Sequence, residues 1–220
     1  MFEASKIIHS NSDWITLVLV FIFIILSLLK VIFKDRLLHV NTVFISKKYF
    51  LTYYNKGKST IFNGFQVPLF IVQLLVVSLL LYLVNIHFHF QQIPLNFRSY
   101  LYIFLWVGLY FSISYLIGLL LAFLFNFKDE YSTFVYQKLN YFNNLILWLL
   151  PFLILTIYIS AYQYLLLNIT IYLFIILALL RYSLILKNNK NLIFNNLFYF
   201  ILYLCTLEIA PLIIILKLTI

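Results

Sequence analysis

The 220-residue chain has one cysteine, four glycines, four prolines and six carboxylates. A single thiol, Cys205, rules out an internal disulfide and any metal site built from several cysteines. Charged residues make up 10% of the chain, against roughly a quarter in a soluble domain. There is no Gly-x-Ser-x-Gly, no His-Glu-x-x-His, no glycine-rich phosphate loop and no carboxylate pair of the intramembrane-protease type. Chemistry inside a membrane generally needs two or more placed polar groups, so an enzyme is disfavoured and no cofactor is expected.

What the chain does have is apolar and aromatic. Hydrophobic residues account for 65%, aromatics for 20%, and the mean hydropathy is +1.05. That leaves too little polar surface to clothe a water-soluble globule, and the bilayer has to act as solvent. A crossing helix needs about 20 mostly apolar residues to traverse a core of ~30 Å. Six runs meet that demand, at about 14–33, 65–86, 100–125, 141–159, 165–186 and 195–216. The expectation is therefore an all-α integral membrane protein with six transmembrane helices, forming a single polytopic domain over 1–220. Residues 1–13 lack a basic segment and a small-residue cleavage site, so the first span is expected to be retained. Trp14 suits an interfacial anchor. Pro68 falls in a first turn, where its missing N–H costs least, whereas Pro151 should kink the fourth span. Residues 126–140 read as a polar loop, and Gln73 as the one strongly polar residue inside the second span.

Between the first two spans, Leu37, Val40, Phe44, Leu51 and Tyr54 form a rough helical stripe among Lys47, Lys48, Lys56 and Lys58. Basic residues interleaved with aromatics predict an amphipathic helix over about 37–55, lying in the membrane interface. The same patch can hold an anionic lipid or a cytoplasmic partner, although anchoring alone accounts for it.

The net charge is +9. In a six-span topology Lys30, Lys34, Arg36, Lys47, Lys48, Lys56, Lys58, Lys128, Lys138, Arg181, Lys187 and Lys190 share one side. Only Lys6, Arg98 and Lys217 lie on the other, so twelve of the fifteen basic residues are on one face. The positive-inside rule makes that face cytoplasmic and puts both termini outside it. Topology thus explains the basic excess without any nucleic-acid partner.

Glu208 is the only carboxylate well inside a predicted span. A charge at mid-membrane costs about 3 kcal/mol on insertion scales. Pro211 cannot donate to the carbonyl of Leu207, which frees an acceptor one turn before Glu208 and close to Cys205. Such a carboxyl can fasten the last span through Tyr hydroxyls, Gln73 or a snorkelling Arg98, can bind a proton or cation, or can meet a partner subunit. Without a relay of further acids, the fastening role is favoured. Cys205 itself reads as a small apolar filler.

On the third span, Ser114, Gly118 and Ala122 lie four apart, as do Gly108 and Ser112, and form small-residue ridges for close helix approach. His87 and His89 make a weak metal candidate that lacks a third ligand, and histidines at an aromatic interface explain them equally well. No metal is expected. Asn168-Ile169-Thr170 matches a glycosylation sequon but begins a span.

The run Tyr203-Leu204-Cys205-Thr206-Leu207-Glu208-Ile209-Ala210-Pro211 resembles the C-terminal span of a family of multi-pass inner-membrane proteins of Bacteroidota, defined by a domain of unknown function with a Tyr-Leu-Cys-x-x-Glu-Ile-x-Pro motif. Ser12-Asp13-Trp14 and the basic stretch after the first span are also similar. The resemblance would cover nearly the whole chain, and only the C-terminal run is specific. It implies the inner membrane of a Gram-negative cell and singles out Glu208, Cys205 and Pro211; it implies no activity. The leading expectation is a non-catalytic subunit or accessory factor of a larger membrane assembly, with other membrane subunits or further copies of itself as partners. The secretion and gliding machinery of such cells is one conceivable setting. The alternative is a small proton- or cation-coupled transporter or channel that uses Glu208.

Overall fold

The computed structural model describes residues 13–44, 64–88, 96–124, 128–159 and 162–188. Among them there are six helices and no strand: α1 (Asp13–Ile32), α2 (Lys34–Asn41), α3 (Gln66–Phe88), α4 (Phe97–Leu124), α5 (Lys128–Tyr158) and α6 (Gln163–Asn188). All but α2 are long and apolar enough to cross a membrane. The chain is an all-helical, multi-pass membrane protein with five such helices in this region. Helices suit the solvent, because each meets its own backbone hydrogen bonds where lipid offers none. The sixth predicted span, at 195–216, lies outside the described residues.

α5 is the hub. It packs against α2, α3, α4 and α6, while α1 leans on α3. Ile22 of α1, Leu79 of α3 and Leu145 and Leu149 of α5 are completely buried where these helices meet. Lipid tails are as apolar as these side chains, so close packing and interhelical hydrogen bonds hold the bundle, rather than exclusion of water.

At the end of the bundle remote from α2, Trp14 is more than an interfacial anchor. Its ring stands 5.1 Å from Tyr82, 5.1 Å from Tyr100 and 5.7 Å from Phe97, which joins α1 to both α3 and α4. Lower in the same half, the hydroxyls of Thr156 and Thr170 pair at 3.0 Å across the α5–α6 interface.

The short helix after α1 differs from expectation. It begins at Lys34, directly after a single non-helical residue, and ends at Asn41 rather than near 55. The junction bends without losing its bonds: the Phe33 N–H still donates to Leu29 at 2.8 Å, and Leu37 donates to Phe33 at 3.1 Å. The Phe33 ring meets Phe65 edge-on at 5.5 Å, and the Arg36 guanidinium lies 4.5 Å from the centre of the Phe65 ring. Val40 is fully buried and Val43 nearly so. α2 is therefore docked into the bundle on one face instead of resting wholly on an interface. Residues 45–63, including the rest of the predicted interfacial helix, fall outside the described set.

The other difference concerns 126–140, read as a loop. From Lys128 onward this stretch is helical and continuous with the fourth span, giving a 31-residue α5 that runs on through Pro151. Its length is about 46 Å at 1.5 Å per residue. The cause is visible in the spacing of Tyr131, Phe134, Val135, Leu139 and Phe142. Three- and four-residue steps put them on one helical stripe, and all but the half-buried Leu139 are buried.

Candidate functional site

The most distinctive local chemistry is a layer of buried amides between α3 and α5, at the half of the bundle near α2. On α5, Asn140, Asn143 and Asn144 follow the helical three- and four-residue spacing and point to one side. On α3, Gln66 and Gln73 are seven residues apart, two turns along the same face. All five are at most 3% exposed. Unpaired, each would carry a penalty of a few kcal/mol in an apolar medium, and the structure pairs them.

Gln66 bridges two partners. Its Nε2 donates to Asn140 Oδ1 at 2.9 Å, and its Oε1 accepts from Asn143 Nδ2 at 3.2 Å. Gln73 Nε2 donates to Asn143 Oδ1 and, at 3.2 Å, to the Leu139 carbonyl. Asn140 Nδ2 also caps the Tyr136 carbonyl at 2.7 Å. Asn144 turns toward α2 and donates to the Val40 carbonyl at 2.7 Å, while the neighbouring Trp148 indole N–H reaches the Asn41 carbonyl at 3.3 Å. Val40 and Asn41 end α2, where carbonyls lack intrahelical donors, so α5 side chains satisfy the open end of α2. Two acceptors in the layer, Gln73 Oε1 and Asn144 Oδ1, are buried without a hydrogen bond.

Basic and phenolic groups flank the layer. Arg36 Nη2 donates to the Tyr136 hydroxyl at 3.3 Å, and Asn188 Nδ2 to the Tyr141 hydroxyl at 2.6 Å. Arg181, 7% exposed, stacks 4.6 Å from the centre of the Phe142 ring and donates to the Lys138 carbonyl at 3.4 Å. Beside these residues a cavity of about 280 Å³ opens between α3, α4, α5 and α6. Amides neither gain nor lose a proton near neutrality, so the layer can hold helices together or bind a ligand by hydrogen bonds, but cannot relay charge by itself.

The residues singled out from the sequence are scattered. Gln73 lies in the layer. Arg98 is exposed in the first turn of α4, at the opposite end, so the structure does not bring these two together. Glu208, Cys205 and Pro211 lie outside the described residues, as do His89, Lys47, Lys48, Lys56 and Lys58. His87 ends α3 with its ring 4.5 Å from Tyr164 and 5.0 Å from Phe88. Among the described residues no three His, Cys, Asp or Glu side chains converge.

The small residues of α4 divide into two kinds. Gly118 and Ala122 are buried, and the Tyr131 ring and hydroxyl of α5 press on Gly118 so closely that a Cβ there would overlap them. Tyr131 is held in that place by donating to the Tyr115 carbonyl at 3.1 Å. Ser112 and Ser114 line the cavity. Gly108 has nothing within 4 Å of where a Cβ would sit.

Gln66, Asn140, Asn143 and Asn144 had not been singled out from the sequence. Their spacing was the available signal: amides at three- and four-residue steps on one helix, and at a seven-residue step on another.

A family model described as a domain of unknown function (DUF4271) matches residues 15–219. The chain belongs to the DUF4271 family. The match takes in the whole amide layer, the cavity beside it and the segment with Glu208, so in this DUF4271 chain all three fall within the shared domain. No curated protein and no solved structure matches the chain.

Proposed function

We infer that this chain is a non-catalytic integral subunit or accessory factor of a larger assembly in the inner membrane of a bacterium of the Bacteroidota. In this reading it has six spans, its basic face is cytoplasmic and both termini are periplasmic. The observation that carries the reading is how the buried polar groups are used. The five amides spend their hydrogen bonds on one another and on the carbonyls of α2 and α5, fastening three helices in a neutral layer. Outside that fastening, α4 and α6 present long apolar faces, with Leu105, Leu109, Leu116 and Leu120 on one and Tyr172, Ile176 and Leu179 on the other. Such a rigid apolar body suits association with other membrane chains or with further copies of itself.

Extraction in a mild detergent followed by size analysis and mass spectrometry tests the proposal. Co-purification of other membrane proteins in fixed ratio is expected; a monomer that stays alone in native lipid nanodiscs overturns the reading. Glu208→Gln separates it from the transporter alternative. Loss of assembly or expression agrees with a fastening carboxylate, whereas loss of proton- or cation-dependent flux in liposomes, with assembly intact, makes transport the better account.

A further inference from the structure

The cavity beside the amide layer has a composition that selects its occupant. Most of its wall is apolar, with Phe70 from α3, Phe111 from α4 and Val135 and Phe142 from α5. The polar part of the wall is cationic: Lys138 and Arg181 both line it, and no carboxylate does so among the described lining residues. At about 280 Å³ it has the volume of roughly nine waters at ~30 Å³ each. Water is a poor filling for a wall of aromatic rings, and a bare void would leave a guanidinium and an ammonium facing empty apolar space.

An amphiphile with an anionic head and an apolar body answers both parts of the wall. The rim is suited to entry from the bilayer, since Val67 on α3 and Ser112 on α4 are both exposed on the outer surface of the bundle. Arg181 is oriented for the head. Its guanidinium is held against Phe142 and by the Lys138 carbonyl, and a planar fork held this way presents paired donors to phosphate oxygens.

We propose that this cleft is a binding site for one anionic phospholipid, with its phosphate between Lys138 and Arg181 and an acyl chain leaving past Val67 and Ser112 along the apolar face of α4. Basic pockets between membrane helices bind such headgroups, each nearby cation strengthening the attachment about fivefold. The site is independent of the subunit proposal and of Glu208.

Native mass spectrometry of the full chain, released from an uncharged detergent after titration with phosphatidylglycerol, phosphatidylcholine or inorganic phosphate, tests it. One retained phosphatidylglycerol per chain is expected, displaced by neither of the others. Lys138→Gln is expected to weaken retention about fivefold. Ser114→Leu, which fills the cavity, is expected to abolish it while leaving the helical circular dichroism unchanged. Arg181→Gln should weaken retention most; if it prevents folding, the other two variants decide. Equal retention of phosphatidylcholine overturns the role of charge, and retention of phosphate alone overturns the lipid as occupant. Unchanged phosphatidylglycerol binding in Ser114→Leu overturns the site.

Discussion

Gln73 on α3 and Asn143 on α5 are joined amide to amide in the apolar middle of the bundle, and the same Gln73 nitrogen also donates to the Leu139 carbonyl one turn away. Both side chains are at most 2% exposed. Interhelical bonds of this type average about 0.6 kcal/mol in membrane proteins and reach about 1.7. A double-mutant cycle with Gln73→Ala and Asn143→Ala, read by denaturation in mixed micelles, is expected to show a coupling near the upper value. Strict additivity would mean that the pair contributes nothing.

Gly118 and Gly108 on α4 should respond oppositely to the same change. A Cβ on Gly118 displaces Tyr131 and, with it, the bond to the Tyr115 carbonyl. Gly118→Ala is expected to destabilise by roughly 1–3 kcal/mol, as overpacking does. Gly108→Ala meets open space and is expected to be neutral, or to gain up to about 1 kcal/mol from helix propensity. Thermal unfolding of the two variants in the same detergent makes the comparison; equal effects would remove the close approach as the cause.

Asn144→Ala should loosen α2 without unfolding the bundle, because the lost donor serves the end of α2 at Val40. Hydrogen exchange over 34–44 is the measurement. Losing one buried bond of about 1–1.5 kcal/mol corresponds to roughly tenfold faster exchange there, with α5 and α6 unchanged. A uniform rise across all helices would show that α2 is not a separately opening element.

Trp14→Ala is expected to cost about 2–3 kcal/mol, since three aromatic pairs at about 0.5–1.5 kcal/mol each are lost, and Trp14→Phe should recover most of it. Leu17→Ala, three residues on and 70% exposed, serves as the control for a position that faces outward. If the two alanine variants unfold alike, the cluster of Trp14 with Tyr82, Phe97 and Tyr100 does not hold α1 in place.

Four of the long helices could be read directly from unbroken apolar runs, because in a bilayer a long apolar stretch has few alternatives to spanning. The fifth was recognised only from Tyr141 onward. Lys138, Asn140, Asn143 and Asn144 look like solvent-facing loop residues when polarity is equated with exposure. That equation fails where polar groups can find one another, as Asn140 finds Gln66 across 74 positions of sequence. The same error left Gln73 looking solitary, since its partners are supplied by a helix whose first turns had been counted as loop. The end of α2 was hidden for a different reason: the donors that hold it, Asn144 and Trp148, come from more than a hundred residues away. Nothing local could announce them.

The amide layer also bears on how the chain enters the membrane. α5 is the least apolar of the five candidate spans, and it carries three asparagines that lipid cannot satisfy. Its partners, Gln66 and Gln73, belong to a helix that leaves the ribosome two elements earlier and is burdened by the same unmet bonds while it waits. Each of the two helices is a poor insert alone and a good one in the other's company. Membrane entry of α3 is thus completed only when α5 arrives, with α4 already threaded between them in the order of synthesis.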